Sequence, residues 1–285
     1  MSHKKLPLLL LCAVLASSCS MIIDQQVNKF SDSLSNSIMN FDDPATVGSA
    51  IPTLLIVLDS AASGAKASGQ LKLTTAQMYG AFSSPFVSEP ERQKVLTNRG
   101  FNYAKEGSCL ENKAWCDLAD MDSAAFQQFT ETLGKKDVPI AYAYAASWLA
   151  YIQANSDNWS VIADLGRAKQ LLEIVVKFDE DYDNASEHLY LGAIATTLPP
   201  ALGGQPDVGQ QHFERALELT DNKNLLIKVE YARRFARITF DQELHHRLLT
   251  EVLAADFRVP DLTLMNAWAR QQAQQLLATE ADYFD

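Results

Sequence analysis

Few side chains in this 285-residue sequence have types and spacing suited to chemistry, and the cysteines are the clearest of them. Cys109 and Cys116 stand seven apart in GSCLENKAWC, a spacing that closes a small loop as a disulfide in an oxidising compartment. Free buried thiols are the alternative. A zinc site is disfavoured, because no second Cys or His pair at zinc spacing accompanies them. Cys19 follows Leu15-Ala16-Ser17-Ser18, small residues that resemble a lipobox, in which the thiol is diacylated and the freed amine acylated after cleavage. An ordinary secretory signal with a chance cysteine is the plainer reading of the same residues.

The remaining chemical candidates are weaker. Asp179, Asp181 and Asp183 begin like a calcium loop, but Asn184 replaces the glycine at the sixth position and Tyr190 the glutamate at the twelfth, so the run reads as a solvated turn. His245 and His246 are adjacent, as are Glu187 and His188; neighbours on a helix point about 100° apart and cannot clasp one metal as an i, i+4 pair does. Arg233, Arg234 and Arg237, with Lys228, form a basic patch that reads as an exposed face paired with carboxylates, or as a receptor for an acidic partner. There is no Gly-x-Ser-x-Gly elbow, phosphate loop, His-Glu-x-x-His helix or dinucleotide fingerprint. The expectation is a protein that is not an enzyme, with no catalytic residues, metal or cofactor.

The N-terminus sets the compartment. His3, Lys4 and Lys5 precede a short apolar run from Leu6 to Leu15, too short for a spanning helix and interrupted by Pro7, so residues 1–18 read as a cleaved lipoprotein signal. The mature chain is expected in the periplasm. Ser20, where aspartate holds lipoproteins at the inner membrane, points to the inner leaflet of the outer membrane. Loss of Lys4 and Lys5 deepens the net charge from −11 to −13. Such a surface repels nucleic acid and anionic lipid, leaving the acyl chains as the membrane link.

Residues 19–48 are rich in Ser, Asn and Asp and read as a tether, and 49–285 as one helical domain. Apolar residues recur there at spacings of three and four, without the alternation of a strand. Helices are expected near 50–63, 71–84, 89–106, 122–134, 138–154, 162–178, 185–198, 207–220, 223–239, 241–255 and 261–280. Ser88 with Glu91, and Asp137, Asp207, Asp241 and Asp261, are the expected caps. RAKQLLEIVVKFDED and VGQQHFERALELTDN align at a spacing of 41, matching Ala168 with Gly209, Leu172 with Phe213 and Val175 with Ala216. Small, large and small residues at offsets 0, 4 and 7 resemble the second helix of a tetratricopeptide repeat. The fold class expected is all-α, an α-solenoid of tetratricopeptide-like helical hairpins with a concave binding face.

One helix is apolar nearly all round: in VPIAYAYAASWLAYIQANSDNW, Tyr144, Trp148 and Tyr151 form a stripe opposite Ala141, Ala145, Leu149 and Ile152. Such a helix is central. Either both faces pack, or the aromatic side, with Tyr142 and Trp159, lines a cleft for an apolar or amphipathic ligand.

The strings IQANSDNW (152–159), HLYLGAIATTLPPALGGQPD (188–207), HFERALELT (212–220), FDQELHHRLLTEVLAADF (240–257) and the terminal ADYF resemble the TatT component family of TRAP (tripartite ATP-independent periplasmic) transporters. The resemblance implies a periplasmic lipoprotein of tetratricopeptide-like hairpins that associates with the transporter's solute-binding protein. It also implies a homotrimer with a pore or cleft through each subunit, bearing on apolar or carboxylated ligands. It carries over no active-site residue. The rival class is a general tetratricopeptide scaffold lipoprotein for envelope assembly.

Overall fold

The computed structural model describes residues 33–198 and 200–284. The signal segment, Cys19 and most of the tether lie outside them. Residues 33–39 are helical, and thirteen helices follow: α1 (Pro44–Ala62), α2 (Gly69–Phe86), α3 (Pro90–Glu111), α4 (Ser123–Glu131), α5 (Val138–Ala154), α6 (Trp159–Ile162), α7 (Leu165–Phe178), α8 (Tyr182–Ala195), α9 (Pro206–Leu219), α10 (Leu225–Glu230), α11 (Gln242–Ala254), α12 (Thr263–Ala278) and α13 (Glu280–Phe284). The fold is all-α, with no strand among the described residues.

Helix starts follow local chemistry. Asp43, Ser68, Asp122 and Asp241 accept the free amides of Ala45, Leu71, Ala125 and Leu244. Three of those four are not legible as caps from periodicity, and four expected caps differ. Pro90 occupies the first turn of α3, so Glu89 takes the cap position without a side-chain bond and no Ser88 box forms. Asp137 turns back to accept the Gly134 amide at 2.9 Å. Pro206 starts α9 one residue early, placing Asp207 in its first turn, where the helix dipole favours a carboxylate. Asp261 has φ +64° and receives the side-chain amides of Asn36 and Asn40.

Packing is largely between neighbours in sequence. Helix α1 lies on α2, α2 on α3, α5 against α2, α3 and α7, α7 on α8, α8 on α9, and α10 and α11 on α12. The paired repeat residues Ala168, Leu172, Val175, Gly209, Phe213 and Ala216 are all buried. Glycine is required between α8 and α9, where a Cβ at Gly192 would stand 2.9 Å from the Phe213 ring and one at Gly209 2.5 Å from Thr196. Early and late segments of the described residues also meet. α12 touches α1, Leu264 joins the core of the first helices, and Arg258 pairs with Asp42 at 2.9 Å. The hydrophobic pattern cannot report that closure, because it identifies buried faces without their partners.

Cys109, in the last turn of α3, and Cys116 are joined by a disulfide, Cα atoms 4.5 Å apart. The loop between them inserts Trp115, almost wholly buried, edge-on against Phe129 at 4.9 Å. Replacing both cysteines by serine should lower unfolding free energy by about 2–3 kcal/mol, the loop-closure value for so short a loop. Urea titration under non-reducing conditions measures it; an unchanged midpoint would show that Trp115 packing alone holds the loop.

Candidate functional site

The five aromatic candidates do not converge. Tyr144 and Trp148 are wholly buried, Tyr142 nearly so, Tyr151 half-buried, and Trp159 on α6 stands 84% exposed. Phe101 of α3 organises the stripe: it stacks on Trp148 at 5.5 Å and on Tyr151 at 5.3 Å, and meets Tyr144 edge-on at 5.5 Å. The α5 aromatic side is thus core rather than a cleft wall, because α2, α3 and α7 cover it together. Burial pushes the Tyr144 phenol far above its ordinary range.

Tyr142 reaches the other way, donating its hydroxyl to Asp183 and packing against Tyr182 at 5.0 Å. Asp183, Asn184 and Ala185 all adopt left-handed backbone, with φ of 48°, 58° and 59°. That conformation is unfavourable for alanine, so the turn is held by its surroundings. Asn224 donates to the Asn184 carbonyl and Tyr142 ties the Asp183 carboxylate. No three His, Cys, Asp or Glu among the described residues, the aspartates of this turn included, are grouped so as to hold a metal ion.

One turn further, Glu187 is fully buried with neither carboxylate oxygen hydrogen-bonded. Desolvation, with Asp183, Asp181 and Asp179 nearby, raises its pKa to about 8, so it is largely neutral at pH 7. Beside it His188 Nδ1 meets His212 Nδ1 at 2.9 Å, joining α8 to α9. Burial holds both imidazoles below their ordinary range, His212 at about 4. Arg215 clamps Glu180 with two bonds of 2.9 and 2.8 Å across the same junction. A glutamate beside a histidine gives no sequence signal of such burial.

The Glu187 pKa sets a pH dependence. Below about pH 4.5 the carboxyl is protonated in folded and unfolded chains alike. Above that value the unfolded chain releases the proton while the folded chain keeps it until about pH 8, so stability falls across this window. Glu187→Gln should flatten the loss, raising the melting temperature relative to wild type more at pH 8 than at pH 5. Parallel melting curves at all pH values would contradict the neutral carboxyl.

The arginine patch is paired internally. Glu230 accepts from Arg233 and Arg234, each at 2.6 Å, and Lys228 binds Glu251 at 2.6 Å. These arginines sit on a π-helical stretch, Tyr231–Ala236, following α10. Arg237 instead lies over the Tyr283 ring at 4.5 Å, while Glu280 bridges His245 and His246 at 2.8 and 3.1 Å. The terminal ADYF segment therefore docks α13 onto the last helices. Arg167 was also not legible as a structural residue: it donates to the carbonyls of Ala119 and Met121 and covers Phe126 at 5.2 Å.

Two cavities on the surface of the described residues bear on a ligand. One of about 270 Å³ is bordered by Lys72, Arg99, Tyr103 and Glu106. Beside it Asp59 of α1 accepts from Tyr79, Tyr103 and Arg99 at 2.7–3.0 Å, and burial with that carboxylate pushes Tyr79 up to about 12. The larger, about 580 Å³, lies where the starts of α8 and α12 meet the end of α9. Leu219, Val259 and Leu262 supply apolar walls, and Lys223, Arg258, Asp181 and Asp221 polar ones.

No curated protein matches this chain. The sequence profile of the family described as TRAP transporter T-component matches residues 40–284, which span nearly all the helices above. The chain belongs to the TRAP transporter T-component family.

Proposed function

We propose that this chain is the lipid-anchored periplasmic accessory of a TRAP transporter and that it binds the transporter's solute-binding protein. The family match over 40–284 carries the reading. Its support is the signal and lipobox-like string ending at Cys19, which would place these helices on the side of the membrane where a solute-binding protein works. The disulfide between Cys109 and Cys116 suits the same oxidising compartment.

The 580 Å³ cavity is the proposed holding place for a ligand in transfer. Its apolar walls accept a hydrocarbon body, and Lys223 and Arg258, which without ligand pair with Asp221 and Asp42, would turn to a carboxylate. This replaces the α5 aromatic stripe as the ligand-facing surface, because Tyr144 and Trp148 have no exposed area to offer. Crosslinking in the native envelope, followed by purification through a C-terminal tag, should enrich a TRAP solute-binding protein. Enrichment of envelope-assembly proteins instead would support the scaffold reading. The homotrimer implied by resemblance is tested on the purified chain by light scattering.

A further inference from the structure

We propose that the outward face of α1 rests on the lipid surface to which the chain is anchored. This rests on the lipid-anchor reading of Cys19. Among the described residues α1 alone is long and apolar enough, by length and composition, to cross a membrane, yet only 22% of its most apolar 18-residue window is buried. Its inward residues Val47, Ile51, Leu55 and Ala62 pack into the core. Ala50, Thr53, Ile56, Val57 and Ser60 follow the helical repeat along the opposite side, all exposed, with Ile56 at 71% and Val57 at 61%. That stripe carries no charge, on a protein whose net charge is −11. The one charged residue of the helix, Asp59, is turned inward to Tyr79, Tyr103 and Arg99.

The chemistry of the occupant follows from position and size. Ser33 stands fourteen positions after Cys19, a chain that reaches at most about 50 Å, and α1 begins eleven positions later. It is the first long helix among the described residues. Phe41, also exposed, stands just before it, and Val95 of α3, 66% exposed, lies one turn from the Arg99 that binds Asp59. A patch of so few aliphatic side chains is small for a stable protein interface, which buries about 1,600 Å² with close complementarity. Lipid requires no complementary shape. Tethering also supplies a high effective concentration, so a weak contact suffices once the acyl chains are inserted. Apart from the Gly48 carbonyl, which Pro52 leaves without its i+4 donor, the backbone of α1 is bonded as a helix, so its outward face can meet lipid at little cost in unpaired amides.

The test uses the full acylated chain in vesicles of phosphatidylethanolamine and phosphatidylglycerol. Val57→Cys and, on the exposed start of α11, Glu243→Cys each carry an environment-sensitive fluorophore under non-reducing conditions. The engineered thiol is then the free one, since Cys19 is acylated and Cys109 is bonded to Cys116. On vesicles the position-57 label should shift to the blue and be quenched most strongly by spin-labelled lipids bearing the label near the headgroup, while the position-243 label stays in water. Vesicle-bound protein with both labels in water would overturn the proposal and leave the anchor standing. Protein that fails to float with vesicles would overturn the anchor reading and the proposal together. A blue shift already present in lipid-free Cys19→Ala protein would assign the face to protein contact, and strongest quenching from the bilayer centre would assign α1 to a spanning role; either overturns it.

Discussion

Truncating Trp148 to alanine should lower the unfolding free energy by about 3–5 kcal/mol, the range for a large aromatic removed from a packed core. Its indole is wholly buried, stacked on Phe101 at 5.5 Å and edge-on to Tyr144 at 5.5 Å. The space left is flanked by α2, α3 and α7, which the rest of the fold holds in place, so it cannot collapse cheaply. Half-buried Tyr151 should lose less, and Trp159, 84% exposed, within about 0.5 kcal/mol of nothing. Urea denaturation of the three variants gives the order directly. Equal losses at Trp148 and Trp159, or a fully stable Trp148 variant that loses ligand, would restore the aromatic stripe as a cleft.

Replacing Cys19 by alanine should abolish uptake of labelled fatty acid and move the protein from the detergent-rich to the aqueous phase. The reason is additive: each buried methylene contributes about 0.8 kcal/mol, one acyl chain holds marginally, and two or more hold stably. No polybasic segment substitutes, since the mature chain is strongly acidic. Wild-type and variant proteins that partition alike would remove the anchor reading.

The helices were legible in the sequence because burial on one face leaves a period near 3.6. α5 begins and ends at the residues that pattern gives, 138 and 154. The repeat-like matching of Ala168 with Gly209 and Leu172 with Phe213 likewise identified residues that are buried. Helix ends were less legible. Pro90 and Pro206 start their helices through a fixed backbone angle and displace the neighbouring polar residue from the cap. Pairing between distant segments left no trace. The meeting of Asp42 with Arg258, the Arg215 clamp on Glu180, and Glu187 without a partner all depend on which faces oppose one another. An apolar helix shows that its residues are buried or cover something apolar, and only the packing distinguishes α5, enclosed, from α1, open on one side.

Association with a solute-binding protein is measured directly by calorimetric titration of the purified chain with a TRAP solute-binding protein from the same cell. Saturable binding with a Kd near the micromolar level, about −8 kcal/mol, is expected, and the Cys19→Ala protein should retain it because the anchor is not the binding surface. A titration that shows no heat and no complex by sedimentation at concentrations about a hundredfold above that level would contradict it.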